Sequence, residues 1–163
     1  MPAQLLAAPV DLDFLHSDSV PLTKSLTALQ AYCAMTSHVP GWLATAFRIR
    51  DVISRRFNVA EIQGFSPRSP ESVPEVGECL DFFTVEAICD QQLVLTSRDR
   101  HLAVMVCMDV STGEYGLPQL NVTTSVKCFN TFGRFYMVPV GRVHGVIVRR
   151  MLANLQGHRF EYR

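Results

Sequence analysis

The chain has 163 residues, 48% of them hydrophobic, and its 15 lysines and arginines balance its 15 aspartates and glutamates. That length supports one core of ordinary size without disulfide or metal staples and leaves little room for a second independent domain, so residues 1–163 read as a single domain. The charge balance argues against wrapping nucleic acid or coating an anionic membrane, and no apolar stretch reaches the length of a membrane span.

The first residues, MPAQLLAAPVD, have no basic segment and too short an apolar run for a secretory leader, so residues 1–9 are expected to be loose. VDLDFLHSDSV alternates imperfectly and predicts a first strand that Pro21 ends. Leu22, Leu26, Leu29 and Cys33 then recur at helical spacing behind Thr23 as cap. A second helix opens at Pro40 with the stripe Trp42, Ala46, Ile49 and Ile53, and Asp51 and Arg55 on its outer side. A helix pair near the N-terminus is the expectation.

Phe65 to Glu78, FSPRSPESVPEVGE, carries three prolines and cannot hold a ladder, so residues 65–78 read as a long loop or lid. From Cys79 the period becomes that of strands: LDFFTVEAIC, LVLTSRD, HLAVMVCMDV and LNVTTSVKCFN, joined by short turns. Short links between successive strands predict an antiparallel meander. HLAVMVCMDV is apolar on both faces and reads as central, with one side against helices and the other against a core or a cavity; His101, Met105 and Asp109 share one face, from which His101 or Asp109 could project towards that cavity. A buried Asp109 would need a partner, for which Arg98 and His144 are the candidates.

The last element is a helix from Val140, with Val143, Ile147, Val148, Met151 and Leu155 in its stripe, Pro139 at its first turn or at a kink, and Gly157 as its stop. From Arg134 onward six arginines (Arg134, Arg142, Arg149, Arg150, Arg159, Arg163) face one carboxylate, Glu161. That basic face reads as a solvated surface suited to the negative end of the helix dipole, with an anion site as the alternative. The five cysteines (Cys33, Cys79, Cys89, Cys107, Cys128) are scattered, with no C-x-x-C pair and no histidine at metal-ligand spacing. They read as reduced thiols of a cytoplasmic protein, and no metal or cofactor is expected.

Strand, helix pair, meander and terminal helix, in that order, resemble the helix-grip plan of START-like (SRPBCC) or polyketide-cyclase-like domains. That resemblance implies an α+β fold in which a curved antiparallel sheet wraps a long C-terminal helix around a cavity. Two stretches, VPGWLATAFRIRDVISRRF and VTTSVKCFNTFGRFYMVPVGRVHGVIVRRML, resemble the bacterial domain-of-unknown-function family 2867. Pro40, Trp42, Asn130, Gly133, Arg134, Tyr136, His144, Arg149, Met151 and Leu152 fit its pattern, whereas Arg142 stands where a proline is usual. Relatives of that family are often fused to short-chain, Rossmann-type oxidoreductases, which implies such an enzyme as a partner. This chain itself lacks GxGxxG.

His144 lies in an apolar stripe, where a histidine is more often a hydrogen-bonded structural residue than an acid or base. Ser97 to His101 reads as a charged hairpin. Trp42, Phe82, Phe83, Phe129, Phe132, Phe135 and Tyr136 are core aromatics that could instead line an apolar pocket. The expected function is binding of a small, largely apolar molecule by Trp42, His101, Met105, Phe129, Tyr136, His144 and Ile147. The alternatives are a cyclase- or hydratase-like enzyme using His144 with Asp109 or Tyr136, and an interaction module for a short-chain oxidoreductase.

Overall fold

The computed structural model describes residues 2–37, 41, 65, 72–113 and 116–157. The expected second helix with Trp42, and the loop between Phe65 and Ser72, lie outside the described residues. Pro9 opens a 3-10 turn, Pro9–Asp11, and strand β1 follows as Phe14–Pro21, with the proline as its last residue. Helix α1 is Ala28–Thr36. Its cap is Thr27, not Thr23: the Thr27 hydroxyl accepts from Gln30 N at 3.2 Å while Gln30 Oε1 accepts from Thr27 N at 3.0 Å. This capping box satisfies two backbone donors at once.

The meander is present. Strands β2 (Cys79–Leu80), β3 (Phe83–Ile88), β4 (Gln92–Arg98), β5 (Leu102–Thr112) and β6 (Pro118–Cys128) join β1 in a six-stranded antiparallel sheet of order β1-β6-β5-β4-β3-β2. Asp81 turns the β2–β3 hairpin at φ 55°, in the left-handed region that aspartate tolerates better than most residues. The β1–β6 register sets Phe14 opposite Val126 and His16 opposite Thr124.

Two faces follow from that register. On the inner face, Leu93, Leu95, Met108, Leu120 and Val122 pack with Ala31 and Met35 of α1 into one buried core. The terminal helix α2, Thr131–Gly157, adds Val148, Met151 and Leu155 to the same core. The protein is thus α+β, an open antiparallel sheet with α1 and α2 side by side on one face. Asn154 Nδ2 ties the two helices by donating to Met35 O at 3.1 Å.

Helix α2 begins nine residues before Val140 and carries Pro139 in its interior. Asn130 makes the early start possible: its side-chain oxygen accepts from Gly133 N at 3.0 Å, an N-cap that takes up a donor the helix cannot satisfy itself. Pro139 has no N–H to donate to the carbonyl four residues back, but it lies on the exposed side, where water can serve that carbonyl. The Gly133-Arg134-x-Tyr136 stretch is accordingly the first turn of a helix.

The N-terminal segment, expected to be loose, is tied across the outer face. Pro2 O accepts from Gln92 Nε2 at 3.2 Å, Gln4 N donates to Cys107 Sγ at 3.3 Å, and Leu6 N donates to Ser125 Oγ at 3.2 Å. Two residues of extended chain advance about 6.6 Å, enough to step from one strand to the next. The segment therefore crosses β4, β5 and β6 in turn as a strap.

Candidate functional site

His144 stands on the inner side of α2 and meets β1. Its ring lies edge-on to Phe14 and to His16, at 5.2 Å between centroids in both cases. Glycines permit this approach: a Cβ on Gly141 would stand 3.2 Å from the Phe14 ring, and one on Gly145 would stand 3.1 Å from His16 Nε2. Asp18, on the same face of β1, pairs with Arg149 at 3.7 Å, and Arg149 Nε also donates to Gly145 O at 3.2 Å. Asp13 anchors the start of the helix, accepting from Cys128 N at 2.7 Å and pairing with Arg134 at 3.4 Å.

His144 Nδ1 and His16 Nδ1 are both buried with no hydrogen-bond partner among the described residues. Burial, followed by the neighbouring His16, pushes the His144 pKa down to about 4. At neutral pH His144 is therefore an uncharged imidazole, one nitrogen a donor and the other an acceptor. The expected hydrogen bond locking His144 to a strand is absent at Nδ1, and ring contacts hold it instead. The sequence signal for His16 is its parity with Phe14 and Asp18 along β1.

Asp109 and Met105 lie on the other side of the sheet. Asp109 is buried, and its partners are Gln92, which donates from Nε2 at 2.6 Å, and the Cys107 thiol, which donates at 3.3 Å; neither Arg98 nor His144 is among them. Burial pushes the Cys107 thiol up to about 11, so it stays protonated and serves as a donor. With the sheet between them, His144 and Asp109 cannot share a proton.

His101 occupies a third position, at the β4–β5 hairpin. Its ring centroid is 4.6 Å from that of Phe132, its Nδ1 faces the Asn130 side chain, and its carbonyl accepts from Phe129 N at 2.7 Å. Phe129 is exposed, with the Arg98 guanidinium 5.7 Å from its ring centre, a surface cation–π contact. Tyr136 is half-buried on α2, and Ile147 packs against the core. Of the expected ligand contacts, His144, Tyr136 and Ile147 thus share the inner side of α2, His101 and Phe129 sit at its entry, Met105 is on the outer face, and Trp42 is outside the described residues.

A further polar contact was not foreseen. Tyr32 Oη donates to Asp81 Oδ2 at 2.5 Å; burial, and then the Asp81 carboxylate, push the phenol above its ordinary range. Among the described residues no group of three histidines, cysteines or carboxylates is placed to hold a metal ion. No described helix is long and apolar enough to cross a membrane.

The family model described as "Protein of unknown function (DUF2867)" matches residues 9–151. Among solved structures the chain is similar to a hypothetical protein from Helicobacter pylori, at 13% identity over 95% of each chain and a TM-score of 0.47. No curated protein matches it.

Proposed function

The chain belongs to the DUF2867 family, and from that premise we propose that it binds a small, largely apolar molecule between the inner face of the sheet and α2. One observation carries it: the His16 and His144 rings lie 5.2 Å apart, and the buried Nδ1 of each has no hydrogen-bond partner among the described residues. An orphaned buried polar atom costs about 1–3 kcal/mol, and one on each of two neighbouring rings from different elements calls for a ligand that meets them. Phe14 and Ile147 make the surroundings apolar, so the ligand has an apolar body and one hydroxyl or carbonyl directed at the imidazoles.

A helix-grip, START-like architecture accords with the open antiparallel sheet and the long helix against one face. The five free cysteines suit a reducing compartment such as the cytoplasm. The cyclase- or hydratase-like alternative is weaker on two grounds. An imidazole with a pKa of about 4 is a poor base near neutrality, and Asp109 lies on the opposite face.

The test is a titration with N-phenyl-1-naphthylamine, a neutral apolar fluorophore, followed by the imidazole nitrogen resonances of His16 and His144. Saturable binding that shifts both resonances is the expected result. Native mass spectra free of any retained small molecule, together with dye binding that leaves both resonances in place, would reject the site.

A further inference from the structure

The outward side of α2 is not the charged surface that a solvated helix would present. Phe135 is 72% exposed, Val138 50%, Val143 47% and Val146 53%. Their spacing of 3, 8 and 11 residues from Phe135 puts them on one side of the helix, opposite His144. Arg142 and Arg150 are exposed on the same side, and among the described residues neither makes an ion pair, whereas Arg134 and Arg149 are matched by Asp13 and Asp18. Between Thr131 and Gly157 there is no carboxylate.

We propose that this face, the ridge Phe135, Val138, Val143 and Val146 with Arg142 and Arg150 beside it, docks on the surface of an anionic phospholipid bilayer. Charge decides the occupant. A second copy seated on this face in a symmetric dimer would bring Arg142 and Arg150 towards their own equivalents and remove like charges from water together. A protein partner would need a groove shaped to a convex helix and rimmed with carboxylates. A lipid interface needs only what the helix has: apolar side chains that enter the acyl boundary and arginines whose stems lie along it while their guanidiniums stay at phosphate level. The helix lies in the plane of the surface and does not cross it. The chain as a whole is neutral, so the attraction is local and orients the molecule with α2 towards the lipid. The proposal is independent of the ligand reading, since the ridge and His144 are on opposite sides of α2.

The experiment is flotation of the full chain with vesicles of phosphatidylcholine alone and of phosphatidylcholine mixed with phosphatidylglycerol, at low and high salt. The protein should float with the mixed vesicles at low salt and dissociate as salt rises. Each arginine near an anionic surface contributes about fivefold, so Arg142→Gln with Arg150→Gln should lower partitioning by more than about tenfold. Phe135→Ser with Val146→Ser should lower it at least as much. Circular dichroism should show both variants folded, because the substituted side chains are exposed. No flotation, or flotation that both variants retain, overturns the proposal. So does a wild-type dimer in vesicle-free solution that Phe135→Ser with Val146→Ser makes monomeric, or a photo-crosslinker at position 135 that marks a protein instead of lipid in cells.

Discussion

Lowering the pH from 7 to 4 should destabilise this protein through His144, by an amount that one substitution isolates. The half-buried imidazole packs against Phe14 and His16 with its Nδ1 fully buried, and its folded-state pKa is about 4 against an ordinary 6.5. Because the folded value is the lower one, the unfolded chain binds the proton first. Stability from this group is therefore complete above about pH 6.5 and is lost progressively as pH falls towards 4. At about 1.4 kcal/mol per pH unit, the interval corresponds to about 3 kcal/mol. His16 lies against the ring, so the total pH profile of the wild type alone does not isolate this one group. His144→Leu isolates the contribution of His144. Leucine occupies similar space and removes one orphaned nitrogen, so the variant should be at least as stable as the wild type at pH 7.5. Urea unfolding at pH 7.5, 6.5, 5.5 and 4.5 should show the wild type falling behind the variant by about 2–3 kcal/mol across the series. In melting temperature that is on the order of 5–10 °C. Parallel profiles for the two proteins would mean that the imidazole is not held neutral, and the argument from burial would be wrong.

Asn130→Ala removes the N-cap of α2 and should cost about 1–2 kcal/mol in urea unfolding, with helical signal lost in proportion. Gly133→Ala should cost more than Asn130→Ala in the same assay, because the new Cβ would sit 2.4 Å from the His101 carbonyl, which is itself bonded to Phe129 N. Tyr32→Phe leaves Asp81 without its phenol donor and should lower stability by about 1.5–3 kcal/mol, read as a shift of the urea midpoint at constant slope. Asp109→Asn should leave the difference between wild type and His144→Leu profiles intact, because the two side chains are on opposite faces; a changed difference would show coupling through the sheet.

The meander was legible because each β2–β6 hairpin closes locally and its alternation survives in the sequence. The helix start was not, because Pro139 looks like a boundary. What permits the earlier start is Asn130, three residues before Gly133, together with solvent on the proline side. The inward placement of His144 followed from its apolar stripe. Its neighbours Phe14 and His16 did not, since they arrive by the pairing of β1 with β6, a closure over more than a hundred residues that no local pattern records. Asp109 shows the remaining ambiguity. Both faces of β5 are apolar, so alternation groups Asp109 with Cys107 but does not say which group the helices cover.

The strap bears on how the chain assembles. Gln4 must wait for Gln92, 88 residues later, and Leu6 for Ser125, 119 residues later. At about 5–20 residues per second, a ribosome takes roughly 6–24 s to deliver that last partner. Leu5, Leu6 and β1 are in the meantime uncovered, a short apolar stretch open to chaperones while β2 to β6 zip up by local hairpins. Residues 4–6 are thus made well before their partners and are among the last parts of the sheet's outer face to dock.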